Sequence, residues 1–187
     1  VKDLTHADLV DLGRRWLLKS SYSPRPYTSL QLKRHSRAAC PVIVTELVSN
    51  SLETPDVIGW ASVSVLIECK ASRADFLADQ RKEFRKIPEN GMGDLRYYLA
   101  PDGLLKDEEI PEGWGHLTAC KRPSGRGYEV LMKRESAIHQ AHHRTEVCVL
   151  IGVLRSLRMT PGEHMTLKAF IFPARVKRAT LTMKATP

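Results

Sequence analysis

Eight consecutive residues, Val63–Lys70, place Val63, Val65, Ile67 and Cys69 at one parity and Ser64, Leu66, Glu68 and Lys70 at the other. A period of two is the repeat of a β-strand, where successive side chains point to opposite faces, and it does not build a helical stripe. The strand therefore carries an acid and a base, Glu68 and Lys70, on the same face and two residues apart. Val57–Ala61 precedes it as a second β-rich run, so the pair reads as a hairpin.

Helical signals flank this hairpin. Thr5-His6-Ala7-Asp8 is a capping-box pattern, and Leu9, Leu12, Trp16 and Leu17 follow at helical spacing, which predicts a helix ending near Ser20. Ser21–Pro26 reads as a loop, Gln31–Arg37 as a short basic segment, and Pro41–Val48 as a strand that contains Glu46. After the hairpin, Ser72-Arg-Ala-Asp75 is a second capping candidate, with Phe76, Leu77, Gln80 and Phe84 as the inner side of its helix. Arg96–Ala100 reads as a strand that Pro101-Asp-Gly103 turns, Ile110–Gly115 as irregular, and Leu117–Lys121 and Gly127–Met132 as short strands. Val147, Leu150, Ile151, Leu154 and Leu157 recur as an amphipathic stripe, giving a last helix that Pro161-Gly162 ends.

Charge is distributed unevenly. Residues 1–118 hold 16 Lys and Arg against 17 Asp and Glu, whereas residues 119–187 hold 13 against 4. The net charge of +8 thus belongs to the last third, where Arg122, Arg126, Lys133, Arg134, Arg155, Arg158, Arg175, Lys177 and Arg178 suit a polyanionic partner or a solubilising surface. Cys40, Cys69, Cys120 and Cys148 are widely spaced with no C-x-x-C pair, and read as reduced core residues. No apolar run approaches the roughly 18 to 20 residues needed to cross a bilayer, and the first residues lack the order of a signal peptide. The expectation is a soluble cytoplasmic protein with no membrane partner.

Asp56, after Pro55, stands twelve residues before Glu68. Two carboxylates on neighbouring strands suit a hard divalent cation, and a lysine beside them supplies a positive charge. Phosphodiester hydrolysis calls for this combination: a metal to polarise the phosphoryl group and acidify a water, and a cation to orient that water or stabilise developing charge. A solvent-facing cross-strand pair is the competing reading of Glu68 and Lys70. Asp75 and Asp79, one helical turn apart, are candidates to join the site, but read first as a helix cap and as a surface partner of Lys82 or nearby bases. His139 and His143 fall one turn apart and read as an exposed helix start; Tyr97 and Tyr98 read as strand core, and Trp114 with Gly115 as a structural turn.

Pro55-Asp56 followed by Glu68-Cys69-Lys70 resembles the PD-(D/E)XK nuclease superfamily. The words Thr45-Glu46-Leu47, Pro55-Asp-Val-Ile-Gly-Trp60, Ser64-Val-Leu-Ile-Glu-Cys-Lys-Ala-Ser-Arg-Ala-Asp-Phe-Leu-Ala-Asp79, Gly91–Pro101 and Ile110–Gly115 are similar to MmcB-like DNA repair proteins and related phage nucleases, over about residues 40–118. The resemblance implies an α/β fold with a restriction-endonuclease-like core: a mixed β-sheet of about four or five strands flanked by helices. Residues 1–187 would form a single nuclease domain, with its core at about 3–132 and a basic helix and tail at about 133–187.

Carried over residue by residue, Asp56 and Glu68 would be metal ligands with the backbone carbonyl of Cys69, and Lys70 would position or activate the water. Glu46 would be an additional acidic ligand or water-orienting group. The implied cofactor is Mg2+, with Mn2+ as a substitute. The implied activity is DNA hydrolysis, endonucleolytic rather than exonucleolytic, in phage biology, repair or restriction, in a bacterial or phage-infected cell. Arg73, Arg122, Arg126, Arg155 and Arg158 would contact nucleic acid. Symmetric duplex cleavage would require a homodimer, and the stripe Val147–Leu157 would serve as core or as interface. A catalytically silent nucleic-acid-binding module and an RNA-directed nuclease are the alternatives.

Overall fold

The computed structural model describes residues 4–19, 39–46, 54–82, 85, 87–156, 166–167 and 181–182. Helix α1 (His6–Leu18) opens with the expected capping box: the Asp8 amide donates to the Thr5 hydroxyl and the Asp8 carboxylate accepts from the Thr5 amide. The strands that follow are β1 (Val42–Thr45), β2 (Val57–Trp60) and β3 (Ser64–Cys69), then helix α2 (Arg73–Asp79) and β4 (Leu95–Pro101). Strands β5 (Gly115–Lys121) and β6 (Tyr128–Arg134) precede helix α3 (His143–Ser156), and β7 (Thr166–Leu167) pairs with β8 (Leu181–Thr182). The Ser21–Pro26 loop, the Gln31–Arg37 segment, Phe84, Leu157, Arg158, Pro161-Gly162, Arg175, Lys177 and Arg178 lie outside the described residues.

The main sheet has six strands in sequence order, β1 to β6, rather than the four or five expected. Pairs β3–β4 and β4–β5 are parallel and the rest antiparallel. The result is an α/β protein with a mixed open sheet flanked by helices. Helix α1 lays Leu9, Leu12, Trp16 and Leu17 on Val57, Val65, Ile67, Tyr97, Leu99 and Leu117 of one face. The opposite face, from Ile58, Leu66, Tyr98 and Ala100, receives Phe76 of α2 and Val149 of α3. Each fully buried aliphatic side chain contributes about 1.5–3 kcal/mol to this packing. Because β3 is sandwiched between helices, all six of its residues are buried, including those at the parity that carries Glu68.

Two sequence readings need correction here. Of the two readings of the stripe on the last helix, core or interface, the core reading fails at Val147 and Ile151, which are exposed, and Val149 and Glu146 turn inward instead. The buried Glu146 carboxylate decides the rotation: it accepts from the Ser64 hydroxyl and the Gly93 amide at 2.8 Å each and from the Trp60 indole at 3.2 Å. Such charge-assisted bonds outweigh the burial of one more aliphatic side chain. Secondly, only Cys40 and Cys69 are core residues; Cys120 is partly exposed and Cys148, on the outer side of α3, is exposed. Tyr97 and Tyr98 are strand core, as read, and Trp114 stacks on Tyr98 with centroids 4.6 Å apart. No helix among the described residues is long and apolar enough to cross a membrane.

At Gly115, opposite Tyr97 across the parallel β4–β5 ladder, a Cβ would lie 2.3 Å from the Cδ1 and Cε1 atoms of the Tyr97 ring and 2.9 Å from the Ser136 amide nitrogen. We expect Gly115→Ala to cost about 1–3 kcal/mol by overpacking, read as a lower urea midpoint at unchanged m-value.

Candidate active site

The carboxyl ends of the parallel strands gather the charged residues. The β2–β3 hairpin sets Asp56, just before β2, beside the end of β3: the Asp56 Oδ2 accepts the Cys69 amide at 2.7 Å. Register with β4 fixes the next residue, since the Lys70 amide donates to the Leu99 carbonyl at 2.9 Å. Helix α2 begins immediately afterwards, with the Ser72 hydroxyl accepting the Asp75 amide as its cap. One turn and a half later it delivers Asp79 back over the sheet, where the Tyr98 hydroxyl donates to it at 2.8 Å.

These constraints produce a buried charge cluster. The Lys70 Nζ lies 3.0 Å from Glu68 Oε2, 3.4 Å from Asp79 Oδ1 and 3.7 Å from Asp56 Oδ2. Arg85 joins Glu68 and Asp79, at 2.9 Å from each, and stacks its guanidinium over Trp114 at 4.7 Å from the ring centroid. Lys82 reaches Asp79 at 2.7 Å from the solvent side. Glu68 and Asp79 are only 1% exposed, so each needs its cations: a lone buried carboxylate costs several kcal/mol.

The environment separates the protonation behaviour of the members. Burial and the charge of Glu68 push the Asp56 carboxyl up to about 6, against the pull of Lys70, the Cys69 amide and His6. Burial alone would lower Lys70, but Glu68, Asp79 and Asp56 more than offset it and hold the ammonium charged well above its ordinary range. For Asp79, burial is likewise overcome, by Arg85, Lys70 and Lys82, which keep the carboxyl below its ordinary value.

Toward solvent, the other oxygen of Asp56 faces the first turn of α1: His6 Nε2 is 3.6 Å from Asp56 Oδ1 and 3.5 Å from Glu46 Oε1. Glu46 does not continue β1 as a strand residue. It takes a left-handed conformation, φ 48°, donating its amide to the Asp56 carbonyl at 3.1 Å. That bond secures β1 to the start of β2, and the strand ends there.

The structure thus brings together Asp56, Glu68 and Lys70, with Glu46 at the solvent-side mouth, and adds Asp79, Arg85 and His6. Asp79 pairs with Lys82, as the sequence reading has it, but from the interior. Arg73 is committed to a bidentate pair with Glu109 rather than open to a phosphate. Arg134 is likewise a structural clamp, donating to the carbonyls of Asp107, Ile110, Pro111 and Trp114. His139 precedes α3 rather than starting it; it is half-buried and lies 3.0 Å from the Gly113 carbonyl. Arg122 and Arg126 sit on the β5–β6 hairpin, two strands along the sheet from β3. Arg155 belongs to α3.

No family model matches the chain, and no curated protein matches it. Among solved structures, a protein of unknown function from Silicibacter pomeroyi is similar: it is 27% identical, with a TM-score of 0.45, over 62% of this chain and 73% of its own.

Two stability predictions of opposite sign follow from the cluster. Asp79 has a depressed carboxyl, so its ionised form stabilises the fold above the unfolded value near pH 4 and that share is lost as pH falls. Asp79→Asn should destabilise at neutral pH by about 3 kcal/mol and should flatten the acid limb of stability against pH, measured by urea melts from pH 2 to 7. Asp56 works in the other direction, because its raised carboxyl is forced to ionise as pH rises through about 6. In the presence of a chelator, Asp56→Asn should therefore raise the thermal midpoint at pH 8 relative to wild type, with the gain vanishing near pH 4.

Proposed function

We propose that this chain is a metal-dependent nuclease of PD-(D/E)XK type, cleaving DNA with Mg2+ as cofactor. The observation that carries the reading is the convergence of Asp56, Glu68 and Lys70 at the end of β3, within 3.0 and 3.7 Å of the Lys70 Nζ.

The donor set agrees in kind with a hard cation. Mg2+ takes oxygen ligands and needs only one or two protein carboxylates, water and substrate phosphate filling the rest. Asp56 directs Oδ1 outward, and its carboxyl is raised by burial first and by the charge of Glu68 second. Asp56, Glu68 and the Cys69 carbonyl would hold the ion, with Glu46 beside them. Among the described residues no three His, Cys, Asp or Glu side chains form a complete cage. When bound, Mg2+ supplies Lewis-acid polarisation and a more acidic water.

The chain's own residues divide the remaining work. Lys70, held charged by three carboxylates, is a cation and not a proton acceptor, so it orients the attacking water and stabilises charge developing on the phosphoryl oxygens. Asp79 and Arg85 position that ammonium and Glu68 from behind. The hydrogen bond from the Cys69 amide to Asp56 Oδ2 fixes the carboxylate so that Oδ1 points to the mouth.

One observation favours a second reading, a silent nucleic-acid-binding module: the two oxygens of Glu68 lie at 3.0 and 2.9 Å from Lys70 and Arg85. The test is incubation of wild type and Lys70→Ala with supercoiled plasmid, linear duplex, single-stranded DNA and RNA, in Mg2+, Mn2+ or EDTA. We expect metal-dependent cutting of DNA by wild type, reduced at least about 100-fold in Lys70→Ala, with DNA affinity nearly unchanged and folding checked by circular dichroism. Binding without cutting in either metal would leave the silent module, and cutting confined to RNA would reassign the substrate.

A further inference from the structure

Away from the charge cluster, a groove of about 530 Å3 lies between α1 and the β5–β6 hairpin. Leu4, Asp8, Asp11, Leu12 and Arg15 form the helix wall, and Lys121, Arg122, Arg126 and Tyr128 the hairpin wall. A smaller hollow continues it along α1 past Trp16 and Lys19, sharing Leu12, Arg15, Arg122 and Tyr128.

We propose that this groove binds one single strand of nucleic acid, its phosphates on the hairpin cations and a base against Tyr128. The inference rests on the nuclease reading only for the strand's destination; the groove's chemistry stands by itself. Of its three carboxylates, Glu129 lies in the smaller hollow beside Arg122, and the two of the main groove have partners within α1: Asp11 is paired to Arg14 and Arg15 at 2.8 and 2.7 Å, and Asp8 is held by the Thr5 cap. Lys121, Arg122 and Arg126, all exposed, therefore supply the surplus positive charge. The hairpin is pre-shaped: the Arg122 Nε donates to the Tyr128 carbonyl at 3.2 Å, and the Arg122 amide and carbonyl bond Gly127 and Gly125. Both glycines have positive φ, with no atom within 4 Å of a would-be Cβ, so the main chain lies open to a close-lying phosphate. Tyr128 is half-buried against the α1 core cluster and half-open to the groove, as a stacking platform requires. A cationic groove with an aromatic on its wall takes a single strand of any sequence.

Placement links the groove to the site. Strands β3, β4 and β5 are parallel neighbours, so the ends carrying Lys70 and Lys121 lie at one end of the sheet, two strands apart, with Lys121 three residues further along its strand and the two positions about 14 Å apart. A strand in the groove is thereby aimed over the amino end of α1, where His6 faces Asp56.

The experiment is fluorescence anisotropy of labelled dT12 with wild-type protein in EDTA, across a salt series. The double variant Arg122→Ala/Arg126→Ala should bind at least tenfold more weakly, with a slope of log affinity against log salt shallower by about 1.4. Tyr128→Leu, which keeps the apolar packing, should bind about fivefold or more weakly at an unchanged slope. Unlabelled dT12 should displace the label better than a 12-base-pair duplex. Unchanged affinity and slope in the double variant, or stronger displacement by the duplex, would overturn the proposal. Because EDTA removes metal chemistry from the measurement, a protein that binds in this way yet never cuts keeps the groove and loses the nuclease.

Discussion

The Lys70 ammonium and the Arg85 guanidinium, each shared by Glu68 and Asp79, make the contact on which the rest of this structure depends. Four charged side chains with 1–5% exposure cannot be buried singly, because desolvation would exceed any packing gain. Buried together, they require β3, α2 and the segment carrying Arg85 to be in place at once. The Tyr98 hydroxyl and the Trp114 ring close the cluster from β4 and from the turn before β5. A sheet with α1 on one face and apolar cover on most of the other thus contains a charged compartment at the end where the parallel strands stop, apart from the buried Glu146 group at the start of β3.

Much of this was legible in the sequence, and what was missed has physical causes. The alternation over Val63–Lys70 and the Thr5 and Ser72 caps locate the hairpin and helices correctly, because they are local signals whose spacing is set by backbone geometry. The same alternation puts Glu68 and Lys70 at one parity and so brings them together. Asp79 ranks first as a surface partner of Lys82, and Arg85 carries no signal of its own, because an acid with bases three and six residues on reads as a solvated helix face. Only the crossover from β3 through α2 to β4 shows that this face lies over Tyr98. His6 was hidden for a similar reason, since its meeting with Asp56 and Glu46 joins three segments far apart in sequence.

Helix α3 shows how a single buried charge overrides a hydrophobic pattern. The stripe Val147, Leu150, Ile151 is real, but rotating it inward would expel Glu146 from the Ser64, Gly93 and Trp60 donors and leave those groups unpaired. The lost hydrogen bonds to a carboxylate, about 1.5–3 kcal/mol each, exceed what Val147 and Ile151 gain by burial. The basic residues follow the same logic. Arg73 and Arg134 count toward the chain's positive charge, yet both are spent on Glu109 and on main-chain carbonyls. The charge open to a polyanion in the described structure is narrower than the composition suggests, and it is concentrated on the β5–β6 hairpin.

The cluster also constrains the chemistry its members can perform. A lysine embedded among three carboxylates cannot release its proton near neutral pH, so its value to a reaction lies in charge and direction. Asp56 is the reverse case: burial and Glu68 raise its carboxyl to about 6, and one of its oxygens faces the mouth. Glu68 is ion-paired with Lys70 and Arg85 at 3.0 and 2.9 Å, and its Oε1 meets Arg85 as charge without a hydrogen bond. Those pairs let the carboxylate sit 1% exposed and tie it to the folded core, while Asp56 stands at the rim with one oxygen toward His6.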